Sequence, residues 1–258
     1  ISDDTWTITN PGTFTSGTGT VLFTKGSGTV TLTTGGDPFY HLAFNDGGGS
    51  AVYQLADPLT VNGNLAIQGG SLSTGANHAV TLQGNFTNSD IFTGNSSVIT
   101  LGDTDQTLQG NTTFYTLTKT VTTARTLTLK ALDNFTISNS LTLRGTSTTY
   151  RLKVESDHGT NRAHLDLLPD RVQDLAFLNT IRIDSNSGVE MNPTGSIQTD
   201  SLNWNISEAT TLNWDGNAGT ANWNTPANWN LGFVPRVGDT VVIPDTSLDP
   251  ILFNAVTV

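Results

Sequence analysis

Short stretches in which apolar residues alternate with threonine or another small polar residue recur along most of the chain. Examples are Thr20 to Phe23, Thr29 to Thr33, Val98 to Leu101, Tyr115 to Lys119 and Thr126 to Leu129. A period of two residues places alternate side chains on opposite faces of a β-strand. The stretches are closed by Gly, Asn, Asp or Pro, which are common in turns. The pattern therefore predicts an all-β chain of many short strands.

The chain also resembles itself at a nearly constant spacing. Phe39 to Leu42 returns as Phe114 to Leu117 after 75 residues, and Val61 to Ile67 returns as Ile137 to Leu143 after 76 residues. Self-similarity of this kind is typical of chains built by stacking like units. A unit of this length would hold three or four turns of a coil at about 20 to 25 residues per turn. We therefore predict a parallel β-helix, or β-solenoid.

Two other all-β architectures fit the pattern less well. Tandem immunoglobulin-like sandwiches need about 100 residues per unit and a buried tryptophan in mid-domain, and no tryptophan lies between Trp6 and Trp204. A β-propeller needs repeats of about 40 to 50 residues with four strands each. The spacing favours the β-helix over both.

Composition narrows the possible partners. The 258 residues carry a formal net charge of −11, and the 11 basic residues are scattered along the sequence. We expect no surface that neutralises a run of phosphates, so nucleic acid is not an expected partner. No apolar run approaches the roughly 18 residues of a membrane-spanning helix, so we expect no membrane insertion. The chain begins at Ile1 without a signal sequence, which indicates a processed chain or a piece of a longer one.

Three runs of residues resemble a known repeat. Phe92 to Leu101, Gln106 to Gly110 and Thr113 to Leu117 look like the repeat of very large modular bacterial surface proteins, in the style of autotransporter passengers and filamentous-haemagglutinin-type adhesins. Tyr150 to Trp204 is similar to the closing coils of such a module, and Trp214 to Pro244 looks like the opening of the next. The resemblance implies a right-handed, single-stranded parallel β-helix with a secreted or surface-anchored structural or adhesive role.

The same resemblance divides the chain. We expect residues 1–207 to form a parallel β-helix with two internal repeats, at about 14–76 and 92–150, followed by closing coils. Residues 208–258 are expected to be a tryptophan-rich boundary and the start of a second β-helical module. Neither end would then be capped, and the open end of a solenoid exposes unpaired strand edges. We therefore expect neighbouring modules, or copies of the chain, to stack end to end.

Four of the five tryptophans fall between Trp204 and Trp229. One interpretation is an aromatic platform on which sugar rings stack, with Trp214, Trp223 and Trp229 as the carbohydrate-binding residues. The other is that these rings close the core of one module and begin the core of the next. Their recurrence among Gly and Asn at the expected boundary favours the second interpretation.

The ionisable residues offer few candidate catalytic groups. Asp103 and Asp105 lie two residues apart, and paired carboxylates perform general acid–base cleavage of polysaccharides, but their segment has the composition of a turn. Glu155 to His158 and Arg162 to Asp166 form the richest ionisable cluster, for which an ion-paired loop is the simpler interpretation. No nucleophile at a suitable spacing accompanies the cluster. We therefore predict no catalytic residues.

One segment has the character of a short calcium loop. Asp184, Asn186 and Glu190 are oxygen-bearing residues spaced around Gly188, and oxygen atoms are the ligands that calcium prefers. The segment lacks the full spacing of an EF-hand and its flanking helices. Apart from a calcium ion at this loop, we expect no cofactor.

Two functions from different classes follow. The first is a structural and adhesive module of a secreted or cell-surface protein, which contacts glycans, a host surface or sister molecules. The second is a carbohydrate-binding or polysaccharide-cleaving protein on the same scaffold. A catalytic coil must differ from its neighbours by a concentrated ionisable patch, whereas matching positions here mostly exchange Thr, Ser, Gly and Asn. This comparison favours a structural and adhesive protein, part of a larger or self-associating surface protein or filament, over an enzyme.

Overall fold

The chain coils into a parallel β-solenoid of about eight turns. A computed structural model describes residues 1–8, 12–205, 211–230, 234–235, 239–245 and 248–251. The strands of each coil pair in parallel with strands of the coils before and after it. The predicted all-β class and the parallel β-helix are confirmed.

The strands form three large sheets and one small sheet. Sheet A contains β1 (Thr5–Thr7), β3 (Ser27–Thr33), β5 (Ser50–Leu55), β8 (Ser71–Ser73) and β11 (Ile91–Thr93). Sheet B contains β2 (Thr20–Phe23), β4 (His41–Phe44), β7 (Leu65–Ile67), β10 (Phe86–Asn88), β13 (Gln106–Gln109), β15 (Arg125–Leu129), β17 (Leu152–Ser156), β20 (Leu178–Ile181) and β22 (Ile197–Thr199). Sheet C contains β6 (Leu59–Val61), β9 (Val80–Leu82), β12 (Val98–Leu101), β14 (Thr112–Thr120), β16 (Asn134–Arg144), β18 (Ala163–Leu167), β19 (Val172–Ala176) and β21 (Ile183–Asp184). Sheet D contains β23 (Thr211–Asn213) and β24 (Thr240–Val242), and a short 3₁₀ helix, Pro226–Asn228, lies between them in sequence.

In the first half of the solenoid, sheet A forms one side of the coil. In the second half, strands of sheet C form that side. Strand β14 lies against β11, the last strand of sheet A, and its pairing with β16 shifts register between Phe114 and Thr116. The first part of β16 then pairs with β18, and its second part pairs with β19. One long strand thus covers two sides of the coil, and the three-sided cross-section is kept.

The repeating structural unit is the single coil. In the middle of the solenoid, hydrogen bonds between equivalent positions of successive coils join residues 21 and 22 positions apart, within the predicted range. Of the stretches that match at 75 residues, Leu42 lies in sheet B whereas Leu117 lies in sheet C. That spacing therefore does not correspond to a whole number of coils.

The core consists of columns of apolar side chains that run along the solenoid. In sheet B, one column contains Leu42, Leu65, Phe86, Leu108 and Leu129, each the register partner of the next and each buried. Burying a side chain of this size contributes roughly 1.5–3 kcal/mol. The alternation of apolar and polar residues in the sequence produces these columns, because every second side chain points inward.

The outer face of sheet C carries a column of threonines. Thr60, Thr81, Thr100, Thr118 and Thr142 are register partners in five successive strands. Threonine suits this face because its branched β-carbon packs on a pleated sheet while its hydroxyl remains polar. Cross-strand Thr–Thr pairs contribute about 0.2–1 kcal/mol each. The column explains why threonine, rather than charged residues, fills the outward positions.

Glycine is required where coils approach closely at one corner. A Cβ atom on Gly84 would lie only 2.3 Å from the carbonyl oxygen of Gly63, one coil earlier. The backbone N–H of Gly84 donates to that same oxygen at 3.0 Å. A side chain at Gly84 would force the two coils apart and break this bond.

A second, separate hydrophobic cluster lies beyond the solenoid core. It consists of Leu212, Trp214, Trp223 and Trp229, with Val234 and Val241 against it. Sheet D and the 3₁₀ helix contribute its backbone. That residues 208–258 open a second module stays a prediction. Within the described ranges, no helix is long and apolar enough to cross a lipid bilayer.

Candidate functional sites

Aspartate side chains bond successive coils together. Among the described residues, nine aspartates accept a hydrogen bond from a backbone N–H group that lies 18 to 26 residues away, which is one coil. The nine are Asp37, Asp57, Asp90, Asp103, Asp105, Asp133, Asp157, Asp166 and Asp184. They lie near strand ends, where the chain turns and the backbone ladder is interrupted. A carboxylate is a strong acceptor for N–H groups, so these residues continue the inter-coil hydrogen bonding through the turns.

The candidate catalytic pair belongs to this set. Asp103 and Asp105 lie in the turn between β12 and β13, as the composition of the segment predicts. Asp103 accepts from the N–H and hydroxyl of Thr122 and contacts Arg125, and Asp105 accepts from the N–H of Thr126. The hydroxyl bond from Thr122 is the main cause that lowers the pKa of Asp103. A general acid needs a raised pKa, so the direction of the shift suits a structural acceptor.

A second ladder of side chains, which the sequence did not reveal, lies at the start of strands of sheet B: His41 is the first residue of β4, and Asn64 and Asn85 directly precede β7 and β10. His41 accepts from the backbone N–H of Asn64 through Nδ1 at 2.8 Å, and Asn64 accepts from Asn85 at 2.9 Å. Asn85 in turn accepts from Thr107 at 2.8 Å. In the sequence, this ladder corresponds to a polar residue at the start of each apolar stretch, repeated at the spacing of one coil. It is recognisable only when the length of the coil is known.

The richest ionisable cluster is an assembly of pairs. Asp157 accepts from Lys130 and from the N–H of Ala131. Burial alone would raise the pKa of Asp157, but these two hydrogen bonds lower it. Arg162 pairs with Asp184 and Asp200, in neighbouring coils. These ion pairs match the ion-paired loop that the sequence favours as the simpler interpretation of the cluster.

His158 and His164 of the same cluster also have local partners. The Nδ1 atom of His158 accepts from the N–H groups of Thr160 and Asn161, which closes its own loop. The Nδ1 atom of His164 lies 2.7 Å from the amide nitrogen of Asn186. Each ring is therefore held by groups that orient it within the solenoid wall.

The tryptophan rings proposed as a sugar platform are buried. Trp214, Trp223 and Trp229 are 1%, 6% and 2% exposed. Trp229 packs edge-to-face on both others, with ring centroids 5.1 Å from Trp214 and 4.7 Å from Trp223. The indole N–H of Trp214 donates to the carbonyl of Leu248, and that of Trp229 to the carbonyl of Trp223. Their ring faces pack against protein, so these contacts describe a small core; sugar binding at these residues stays a prediction.

The buried Asn228 holds this small core together. Its side-chain nitrogen donates to the carbonyls of Thr220 and Asn222 and to the hydroxyl of Thr220, while its side-chain oxygen accepts from the N–H of Ala218. Its amide is thus satisfied at full burial, as a buried polar group must be. Asn228 lies within the segment Trp214 to Pro244, whose sequence did not predict this role.

The candidate calcium residues Asp184, Asn186 and Glu190 each bond to different protein groups. Asp184 is buried, accepts from the N–H of Leu202 and lies 3.4 Å from Arg162. Asn186 contacts His164, and the carboxylate of Glu190 contacts Asn205 at 3.4 Å. In the described part of the chain no group of three or more His, Cys, Asp or Glu residues is arranged to hold a metal. Calcium binding stays a prediction.

Lys119 occupies an inward position in an aliphatic column. Its register partners are Leu101 in one neighbouring coil and Leu143 in the other. The ammonium group is buried and donates to the carbonyls of Gly102 (2.6 Å) and Thr104 (2.9 Å) and to the side-chain oxygen of Gln106 (2.6 Å). Burial lowers the pKa of Lys119 to about 8. No pattern in the sequence distinguished it from an outward lysine.

Three basic residues that are scattered in sequence come together on the outer face of sheet B. Arg125, Arg151 and Lys153 line one groove of about 360 Å³, together with Asp105, Ala124, Thr126, Thr148, Thr149, Asn179 and Ile197. We name it the basic groove. The expectation that basic residues are dispersed holds for the sequence but not for this surface, because residues one coil apart are neighbours in space.

The fold places the chain in the class of parallel β-solenoids. Comparison with protein-family models, curated proteins and solved structures gives no match. The arrangement of described side chains is suited to joining coils and to presenting polar outer faces.

Proposed function

We propose that the chain is a structural and adhesive module of a secreted or cell-surface protein. The observation that carries the proposal is the use of aspartate side chains to bond one coil to the next. This bonding stiffens the stack where turns would otherwise interrupt it. A stiff rod with continuous polar faces presents repeated contacts to a surface, which is what adhesion by many weak interactions requires.

The composition of the exterior supports a role outside the cell. Outward positions are filled by hydroxyl side chains such as the column Thr60, Thr81, Thr100, Thr118 and Thr142. The net charge of −11 keeps such rods apart and soluble. A surface of this kind contacts hydroxyl-rich partners such as glycans through many exchangeable hydrogen bonds.

Adhesion is tested with beads that carry the purified chain. We expect such beads to remain on a glycan-coated surface under flow at a shear that removes beads carrying an unrelated acidic protein of equal charge. A heat-unfolded sample of the same chain is the second control, since adhesion should require the folded rod. Equal retention of all three samples would contradict the proposal.

Polysaccharide cleavage is the alternative function. It requires two carboxyl groups placed on either side of a bound glycosidic bond. Incubation of the chain with a panel of polysaccharides, followed by assay of new reducing ends, tests it. Turnover that disappears on replacing Asp103 or Asp105 by Asn, in a variant that stays folded, would favour the enzyme over the adhesive module.

End-to-end stacking of solenoids is part of the proposal. Among the described strands, β2 and β22 lie at the two ends of sheet B and each pairs with one strand only. Such edges accept further strands unless charges block them. We expect the mass from light scattering to rise with concentration, and the exposed edge variant Gln198→Lys to weaken this rise. A constant monomeric mass would contradict stacking while leaving adhesion by single modules intact.

A further inference from the structure

The floor of the basic groove runs along the solenoid axis. Thr126, Lys153, Asn179 and Ile197 are register partners in four successive strands of sheet B. Neighbouring strands are about 4.8 Å apart, so this floor is about 14 Å long. A linear ligand lying parallel to the axis would meet a new side chain at each strand.

Arg151 provides the principal unpaired charge of the groove. Its Nε atom donates to the carbonyl of Gly195 at 3.3 Å, and its Nη1 atom donates to the carbonyl of Thr148 at 2.9 Å. A guanidinium group has five N–H donors, so three of them donate to no described protein atom. In the described part of the chain no carboxylate pairs with Arg151. The guanidinium is therefore fixed by two carbonyls and still able to bind a carboxylate through two parallel bonds.

The loop that forms one wall of the groove is organised in advance of binding. The hydroxyl of Ser147 accepts from the N–H groups of Thr149 and Tyr150, both at 3.2 Å. Gly145 allows the loop to fold back, because a Cβ atom there would lie 2.3 Å from the carbonyl oxygen of Tyr150. A wall held in this way loses little conformational freedom when a ligand binds.

The other two cations of the groove have partners that a ligand can replace. Arg125 lies 3.3 Å from Asp103, and Lys153 lies 3.0 Å from Glu155, with the side chains of all four residues partly exposed. Exposed pairs of this kind contribute little to stability. Since these pairs are weak, a ligand carboxylate can compete for either cation, while Arg151 stays fixed by its two carbonyl partners.

The lining of the groove identifies the chemical class of the ligand. Thr126, Thr148, Thr149 and Asn179 offer hydroxyl and amide groups, whereas Ile197 is the largest apolar residue in the lining. A peptide would require pockets for apolar side chains or a free strand edge, and this is the face of a sheet. Duplex DNA carries one charge per about 1.7 Å, far denser than three cations along about 14 Å. The lining suits a chain rich in hydroxyls with one carboxylate per unit.

We infer that the basic groove binds an acidic oligosaccharide, with Arg151 holding a uronic-acid carboxylate and Lys153 and Asn179 contacting the neighbouring sugars. This inference rests on the proposed adhesive function and names the class of ligand that it would recognise. A short oligosaccharide brings few charges, so its repulsion by the net charge of −11 stays limited.

The test uses isothermal titration calorimetry with tetragalacturonic acid and with its fully methyl-esterified, uncharged form. We expect the acid to bind and the ester to bind at least about tenfold more weakly, because the charged hydrogen bonds are lost. Arg151→Gln should weaken binding of the acid by about tenfold or more. Arg144→Gln is the matched control, since it removes the same charge from a residue outside the groove lining, and it should change the affinity less than about twofold.

A second variant keeps the test decisive if Arg151→Gln disturbs its loop. Asn179→Asp adds a negative charge to the floor of the groove and breaks no bond that holds the loop. It should also weaken binding of the acid. Equal binding of acid and ester, or unchanged affinity in both variants, would overturn the inference. Equal binding of tetra-aspartate would overturn the choice of a glycan. Bead adhesion that persists in Arg151→Gln would overturn the groove's role in adhesion while leaving the adhesive module in place.

Discussion

The solenoid core and the tryptophan core bury apolar surface in different ways. In the solenoid, each inward side chain packs on its register partner in the next coil, as Leu65 does on Phe86 and Phe86 on Leu108. In the second core, Trp229 contacts both Trp214 and Trp223. The stability of a solenoid is approximately a sum of similar terms between neighbours. A cluster in which one ring contacts both others has no such redundancy. We therefore expect the solenoid to tolerate the loss of one buried side chain locally, and the second core to unfold when its central ring is removed.

Trp229→Ala is expected to have the largest effect of the substitutions that distinguish the two cores. Removing a buried tryptophan costs about 3–5 kcal/mol, and this one contacts both other rings. We expect the second core to unfold while the far-UV circular dichroism transition of the solenoid changes little. Near-UV circular dichroism measures the packing of the tryptophan rings in the second core. Far-UV circular dichroism during urea titration measures the unfolding of the solenoid.

A matched change inside the solenoid supplies the control. Trp6 is half-buried against Phe14 and Phe23 at the first coil, so Trp6→Ala should alter the solenoid transition and leave the second core folded. If Trp229→Ala instead lowers the solenoid transition by the same amount, the two cores form one cooperative unit and the comparison fails.

Lys119→Met tests a charged interruption of an aliphatic column. The variant restores an apolar side chain between Leu101 and Leu143 but leaves the buried oxygens of Gly102 and Gln106 without their donor. An unsatisfied buried acceptor costs about 1–3 kcal/mol. We expect a loss of about 2–4 kcal/mol in the free energy of unfolding, measured by urea titration.

The exposed Lys130 is the control for this change. Its pairing with Asp157 is at the surface, so Lys130→Met should destabilise the chain much less than Lys119→Met. A stabilised Lys119→Met variant would show that hydrophobic stacking outweighs the hydrogen bonds of the lysine, as happens for some buried charged groups.

Asp57→Ala tests the aspartate ladder that joins successive coils of the solenoid. The carboxylate accepts from the N–H of Thr34 at 2.8 Å and of Gly35 at 2.7 Å. We expect a loss of about 1–2 kcal/mol in the free energy of unfolding, because both donors lose their acceptor. Asp57→Asn retains one acceptor oxygen and should lose less, while Asp3→Ala, at an exposed position, should be close to neutral. Equal effects of the three changes would refute the ladder.

The smallest expected effect is a dependence of stability on pH. Burial holds the pKa of Lys119 at about 8 in the folded chain, against an ordinary 10.5. Between these two values the unfolded chain binds more protons, so the stability of the folded chain rises with pH. We expect a gain on the order of 1 kcal/mol between pH 7 and 9, below the ordinary tyrosine pKa of about 10.

The double variant Lys119→Met with Gln106→Leu is the control for this dependence. It removes the titrating group and its side-chain partner together, so stability should be nearly flat across the same pH range. A slope as steep as in the unchanged chain would assign the dependence to another group.

The sequence by itself determined the short strands, because alternation of apolar residues with threonine depends only on neighbouring positions. Self-similarity at 75 and 76 residues indicated stacked coils, and the size of that unit predicted about 20 to 25 residues per turn. The turn at Asp103 and Asp105 was also predictable from composition. Each of these features depends on local geometry that every coil repeats.

Only the tertiary structure decided which distant side chains meet. Arg125 and Arg151 share a groove, and Lys119 reaches Gln106, because stacking makes neighbours of residues in successive coils. Coil lengths vary between 18 and 26 residues at the aspartate ladder, so a fixed spacing in the sequence cannot assign these contacts. The alternation of side chains fixes inward and outward directions residue by residue, whereas register between coils depends on the length of every turn.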